Sequence, residues 1–426
     1  MTVSLIDAQP AGRHAAGATG GLFSRVYAPR AFEALAYSMT TYAMPLVVLA
    51  TTGSASLTGL AFALEWTPRV AAFTLAGALV DRSGAAIVWF LAALARALLV
   101  AGAAVALYVL PPGTAETLTV LALTAVTGTL TQFGFIANEA VGAVAGRHGG
   151  RRIHTVQSVS IGIDQTATLV GPAAGGLLLL TGPTLMLVCL SALSFVSAAL
   201  ALRTPPTPLR AARHGGPGPG GGLREGWRTL RSLPVLGRLV MGMACSNLML
   251  GVLQSASPVL VTERFGHSVA AVGTLWSIAA AATLVAVVCW QFALNRLGLW
   301  GAGVISAILV ATAGLAVAHA SSYAGYAAFV ALFMAADGGL TLVLRTLRSL
   351  VIPPTAFGTT LSVSVLLLML PFPLAGVLLA VTPASRLGTL MWTCALLQVL
   401  TLTMTFLRLR NDPVLCPTTR EVLRKE

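Results

Sequence analysis

Apolar residues in this chain come in long runs, and polar residues collect in the short gaps between them. The runs last about 20 residues, the length at which an α-helix crosses a ~30 Å hydrocarbon layer. Twelve are read, at 27–50, 57–80, 85–110, 117–140, 155–180, 184–202, 239–262, 269–294, 299–319, 324–344, 357–381 and 387–407. A transmembrane β-barrel shows shorter segments of alternating polarity instead. The pattern predicts an all-α membrane protein with twelve transmembrane helices.

The gaps alternate in charge. Thr51-Thr-Gly-Ser-Ala55, Pro111-Pro-Gly-Thr-Ala-Glu116, Thr181-Gly-Pro183, Glu263-Arg-Phe-Gly-His-Ser268, Ala320-Ser-Ser-Tyr323 and Thr382-Pro-Ala-Ser-Arg386 together hold two arginines, Arg264 and Arg386. The opposite gaps and the two tails hold 22 Lys+Arg, counting Arg30 at the start of the first run. Basic loops stay on the cytoplasmic side. Both termini are therefore expected in the cytoplasm, in a multi-pass protein of the inner (plasma) membrane. Residues 1–25 show no apolar core or cleavage pattern, so the first spanning helix is expected to act as the insertion signal.

The longest gap divides the runs six and six. The expected organisation is a cytoplasmic tail (1–26), a six-helix bundle (27–202), a basic cytoplasmic linker (203–238), a second six-helix bundle (239–407) and a cytoplasmic tail (408–426). The linker begins Thr-Pro-Pro-Thr-Pro and continues through Gly215–Gly222, a flexible composition. Leu223, Trp227 and Leu230 then recur at helical spacing with arginines between them. They predict an amphipathic helix on the inner membrane face, with an unstructured basic loop as the alternative. The halves echo each other. Asp81-Arg82-Ser-Gly84 returns as Asn295-Arg296-Leu-Gly298, Pro172 and Gly175 as Pro373 and Gly376, Gly59 as Gly273, and Glu33 as Asn247. The order and near-constant offsets favour a duplicated six-helix unit and two pseudo-symmetric bundles.

Composition agrees with a lipid environment. The chain is 56% hydrophobic and 9% charged, with mean hydropathy +0.86, against roughly 25% charged residues in soluble proteins. A net charge of +13 invites a nucleic-acid reading. Its confinement to alternate gaps, 25 of the 26 basic residues being arginine, marks topology instead, and no nucleic-acid partner is expected. Cys189, Cys245, Cys289 and Cys394 lie inside apolar runs and Cys416 in the tail. Without a CxxC pair they read as small hydrophobes, so no metal site or disulfide is expected.

The turn Gly77-Ala-Leu-Val-Asp81-Arg82-Ser-Gly84 puts two charges between two apolar runs, bracketed by glycines suited to a helix that stops and restarts. With twelve spans and a basic central loop, this turn resembles the signature loop of the major facilitator superfamily. Asn295–Gly298 is similar to that family's degraded second copy. Gly171-Pro172-Ala-Ala-Gly175-Gly176 in the fifth run is similar to the Gly-Pro motif of its exporters and antiporters. The resemblance covers the whole chain. It implies alternating access between two bundles, export rather than uptake, no cofactor beyond the proton gradient, and a monomer. The loop departs from the family pattern in continuing Ala85-Ala86 rather than with basic residues. No arginine lies in residues 117–137, where many antiporters carry one; Arg96 in the third run is intramembrane instead.

Intramembrane charges name the candidate site. Such a residue costs about 2.5–3.5 kcal/mol at mid-bilayer and should face a cavity or a partner. Glu65 and Arg69 share one face of the second run, beside Trp66 and Pro68. Glu65 ranks first as proton carrier or ligand, the alternative being an ion pair that only fixes the fold. Asp164 is a second proton candidate, able alternatively to pair with Arg96. Glu33, interfacial and solvated or else buried, and Asp337 beside Gly338-Gly339 complete the proton-coupling set. Arg69 and Arg96 suit carboxylate or phosphate groups, and Tyr37, Tyr42 and Trp66 can stack on a planar solute. Gly77, Asp81, Arg82, Gly84, Glu139, Asn295 and Arg296 are gating candidates at the rim. Gly171, Pro172, Gly175 and Gly176 are candidates for a helix bend.

The reading is a proton-coupled exporter of a small organic solute, with lipid, protons and the solute as its partners. The Glu-Trp-x-Pro-Arg segment resembles bacterial exporters of secreted metal chelators, and drugs fit equally. Divalent metal export is the alternative within transport: Ile163-Asp164-Gln165 is similar to the ferroportin group, but no histidine lies inside a run. A non-transporting membrane sensor is a further alternative. No nucleophile–base pattern or phosphate loop suggests an enzyme.

Overall fold

Glycine and serine in the gaps end the helices and restart them. The computed structural model describes residues 23–148, 153–204, 219–353, 356–412 and 415. A π-helical turn at Phe23–Tyr27 leads into α1 (Ala28–Thr52). α1 stops at Gly53, whose left-handed backbone (φ 60°) costs glycine least. Ser54 then caps α2 (Ala55–Ser83) by accepting from the Leu57 N–H at 3.3 Å. α3 (Ala85–Val109), α4 (Thr114–His148), α5 (Ile153–Leu179) and α6 (Pro183–Ala201) complete the first half. The linker helix is α7 (Pro219–Ser232). The second half holds α8 (Pro234–Val259), α9 (Val269–His319), α10 (Tyr323–Val351), α11 (Phe357–Met369), α12 (Pro371–Val381) and α13 (Leu387–Leu409).

Among the described residues, nine helical segments are long and apolar enough to cross a membrane. One of them, α9, is two spans joined at Gly298, where the backbone leaves helical geometry (φ 70°, ψ 179°). α2 and α5, the charge-bearing helices of the first half, bring the set to twelve. α11 and α12 together make one span. The repeat is visible in the backbone: Gly84 (φ 86°) and Gly298 (φ 70°) close the two copies of the charged turn with the same left-handed step.

Two seams join the halves, and each is built from glycines. A Cβ on Gly59 of α2 would lie 2.9 Å from the Gly376 carbonyl oxygen of α12. A Cβ on Gly176 of α5 would lie 3.2 Å from the Gly273 Cα of α9. The Ser56 hydroxyl donates to the Ala380 carbonyl at 2.6 Å beside the first seam, and the Ser277 hydroxyl donates to the Leu169 carbonyl beside the second. Both seams lie toward the arginine-poor end of the molecule. Gly171, Pro172, Gly175 and Gly176, the candidates for a helix bend, lie within α5, which remains one helix through Pro172. The glycines serve close approach, Gly171 to Ser38 and Gly175 to Ala43 of α1.

The linker forms the expected helix. Part of the apolar face of α7 packs on protein. Leu230 is buried, and a Cβ on Gly226 would sit 2.6 Å from the Thr359 carbonyl carbon at the start of α11. Trp227 stays partly exposed beneath the Arg231 guanidinium, 5.0 Å from the ring centroid.

The seam predicts a contrast between glycines. Gly273→Ala should cost about 1–3 kcal/mol through overpacking against the Pro172 backbone. Gly102→Ala, in a helix with open space around it, should be neutral or stabilising by about 0.5–1 kcal/mol. Thermal unfolding of the purified variants in detergent checks this; equal stabilities would contradict close packing at the seam.

Candidate functional site

Charge inside the spans gathers in three clusters, all in the first half. The first is satisfied throughout. Arg96 of α3 grips Glu33 of α1 with both terminal nitrogens, Nη1 to Oε1 at 3.0 Å and Nη2 to Oε2 at 2.7 Å. Arg96 Nε donates to Ser194 at 3.0 Å, Ser197 donates to Glu33 Oε2 at 2.7 Å, and the Trp89 indole donates to Ser197 at 3.0 Å. Glu33 is 1% exposed and Arg96 0%. Glu33 is therefore not a solvated interfacial group, and Arg96 takes Glu33 as its partner rather than Asp164. The arrangement ties α1, α3 and α6 together and leaves no face open to a solute. The corresponding contact in the second half is neutral: Gln398 of α13 donates to Ser246 of α8 at 2.6 Å.

The second cluster is buried and only half satisfied. Arg69 Nη2 donates to Glu65 Oε1 at 2.8 Å, one helical turn away, and to Thr41 at 3.2 Å. Both charged residues are fully buried. Glu65 Oε2, Arg69 Nε and Arg69 Nη1 have no hydrogen-bond partner among the described residues, and neither has the Trp66 indole nitrogen. The guanidinium carbon lies 4.6 Å from the Trp66 ring centroid and 5.1 Å from that of Tyr37. Gly128 lets α4 touch the Glu65 backbone. Helical rise then puts Thr131 and Gln132 one turn further along, level with Arg69, and their polar side-chain atoms are also buried without partners. Two aromatic contacts carry this cluster across to the second half. Trp66 stacks on Phe372 of α12 at 4.3 Å, and Tyr42 meets Trp276 of α9 at 5.4 Å. A buried polar group without a partner is costly, so this concentration of open donors and acceptors beside aromatic rings is the best-formed place for a polar, planar ligand.

The third cluster lies toward the basic end. Arg30 of α1 donates through Nε to Asp164 Oδ1 at 2.9 Å, while Nη2 reaches both Asp164 Oδ2 and Glu139 of α4. Arg30 is 3% exposed, so it is a buried member of the charge network rather than a marker of topology alone.

Asp337 lies at the middle of α10, partly exposed and outside any ion pair among the described residues. Arg82, Asn295 and Arg296 are exposed at the basic end. Gly77 sits inside α2 with open space around it, and Gly84 ends that helix. The Asp81 side chain lies outside the described residues. Arg30, Thr41, Thr131, Gln132, Trp276 and Phe372 were not singled out by sequence. Gln132 had a signal, being an amide within an apolar run, and so did Phe372, flanked by two prolines. Arg348 of α10 is a further buried cation, with Nε and Nη2 unpaired among the described residues.

Twelve spans in two related halves, with charge buried inside the first of them, fit a multi-pass membrane transporter rather than an enzyme. The chain belongs to the Major Facilitator Superfamily, whose sequence profile matches residues 30–376. No curated protein matches the sequence. Solved structures share the fold. The nucleoside transporter NupG aligns with TM-score 0.71 at 12% identity, covering 88% of this chain and 98% of its own. A bacterial homologue of the iron transporter ferroportin, inward-facing, aligns with TM-score 0.69 at 13% identity, covering 95% and 100%. A D-xylose–proton symporter aligns with TM-score 0.68 at 15% identity, covering 88% and 95%.

The first cluster predicts an asymmetry of substitution. Glu33→Gln leaves Arg96 buried without its counter-charge and should cost about 3–5 kcal/mol. The paired Glu33→Met, Arg96→Leu variant should recover most of that loss. Thermal stability of both in detergent checks it; a stable single variant would show that the pair does not hold the helices.

Proposed function

We propose that the protein is a proton-coupled exporter of a small organic solute, bound near mid-membrane between the two halves. The observation that carries this reading is the Glu65–Arg69 pair with its open valences, clamped by Tyr37 and Trp66 and joined across the halves to Phe372. The pair offers one acceptor and several donors, so a suitable solute is planar or aromatic and carries both a donor and a carboxylate-like or carbonyl acceptor. Chelator-like metabolites and planar drugs have that chemistry. The basic end is the cytoplasmic end on this reading, with both termini there, the bundles meeting 27–202 and 239–407, and the membrane being the inner one. The glycine seams then close the outer side, and the solute enters from the cytoplasm.

Proton coupling is supported by the surplus of carboxylates among the intramembrane charges, with Asp164 and Asp337 beside Glu65 as candidates. Export is supported by the likeness of Gly171–Gly176 to the exporters' motif. Divalent metal is the weaker cargo, although a ferroportin homologue shares the fold: no group of three His, Cys, Asp or Glu side chains suited to a metal ion occurs among the described residues.

Untargeted mass spectrometry of cells and medium tests the reading. With Glu65→Gln in place of the intact protein, one organic compound should accumulate inside and fall outside by about tenfold or more, a loss of about 1.4 kcal/mol in transport. Matching metabolite profiles in the intact, deleted and Glu65→Gln strains would contradict it.

A further inference from the structure

Two carboxylate clusters in the first half differ in their access to water. Glu65 is 0% exposed behind Arg69. The Asp164 and Glu139 side chains are 34% and 47% exposed. A proton exchanges through water, so the Arg30 cluster is the one it can reach in this conformation. That cluster carries one guanidinium and two carboxylates, a net charge of −1 inside the helix bundle. One added proton makes it neutral, which lowers the cost of holding it in low dielectric.

A second observation bears on the same place. Ser160 lies one turn before Asp164 on the same face of α5. It is 3% exposed, and its hydroxyl has no hydrogen-bond partner among the described residues. The hydroxyl and Arg30 face the same point of α4: a Cβ on Gly142 would lie 3.2 Å from Arg30 Nη1 and 4.0 Å from Ser160 Oγ. It is a spare donor and acceptor held beside the ion cluster.

We infer that Arg30, Asp164 and Glu139 form the proton-loading site, with Ser160 as the reserve partner of its protonated form, and that the Glu65–Arg69 pair binds solute without exchanging protons. This assignment rests on the proton-coupled reading above. Arg30 donates to Asp164 through two bonds and to Glu139 through one. One proton shared by the two carboxylates weakens their joint hold on Arg30, and with it the charge tie that Arg30 makes between α1, α4 and α5. Loss of the proton restores the tie. The neighbouring helices present other charges: Glu33 of α1 is committed to Arg96 of α3 and Glu65 to Arg69 within α2, while Arg82 of α2 is exposed at the basic end. The π-helical turn before α1 adds Arg25 and Tyr27. The first arm of α9, packed on α5, has no charged residue between Val269 and Leu294.

Infrared difference spectroscopy on the full protein in lipid, acidified without solute, reads the protonated carboxyl directly. Its carbonyl band should appear in the intact protein and in Glu65→Gln, be lost in Glu139→Gln, and move in frequency in Ser160→Ala. Arg30→Lys keeps the charge but lacks the fork that reaches both carboxylates. It should bring the band up at a different pH, and it serves as the test if Glu139→Gln does not fold. A band lost in Glu65→Gln, or one unchanged in Glu139→Gln, Ser160→Ala and Arg30→Lys, would overturn the assignment. Solute transport indifferent to a pH gradient would instead overturn the coupling on which it rests, whatever the band does.

Discussion

A charge in the hydrocarbon layer costs about 2.5–3.5 kcal/mol, and each buried ion in α1–α5 is set against an opposite one. Arg96 holds Glu33, Arg69 holds Glu65, and Arg30 holds Asp164 and Glu139. Two of these sets, Arg96–Glu33 and Arg30 with Asp164 and Glu139, tie different helices of the first half together. They also make it the polar half. The second half answers with neutral contacts such as Gln398–Ser246 and with the rings of Trp276 and Phe372. The candidate site is thus asymmetric: charge comes from one bundle and stacking surface from the other.

The three clusters are graded by satisfaction and by access. The Glu33–Arg96 network uses both carboxylate oxygens and is closed to solvent. The Glu65–Arg69 pair is equally buried but keeps open valences. The Arg30 cluster reaches water through two half-exposed carboxylates. On the proposed reading, structure, ligand and proton are divided among these three in turn. The seams add the mechanical element. Glycines at Gly59, Gly176, Gly273 and Gly376 bring backbones into contact at one end, so a rocking motion between bundles opens most readily at the other.

Much of the fold was legible because hydropathy tracks lipid contact. The twelve apolar runs match helices closely, and the charged turn and its echo at Asn295–Gly298 mark the two left-handed glycines. The Glu65–Arg69 pair was legible because i, i+4 spacing guarantees proximity on a helix. Contacts between helices were not. Glu33 and Arg96 are 63 residues apart and Arg30 and Asp164 are 134 apart, and a single sequence carries no sign of which helices touch. Arg30 was read as a topology marker for that reason. The α7 helix shows the same limit: its apolar stripe was evident, but that stripe serves equally for lipid or for a neighbouring helix.

The central claim is that a proton gradient drives solute through a site built on Glu65 and Arg69. It is tested most directly in inside-out membrane vesicles with an acidic lumen, followed by a pH-sensitive dye while the compound identified by mass spectrometry is added outside. The account predicts that the compound discharges the gradient as it enters vesicles bearing the intact protein, and not vesicles bearing Glu65→Gln. Uptake of the compound with the gradient undisturbed, or discharge unaffected by Glu65→Gln, would contradict it.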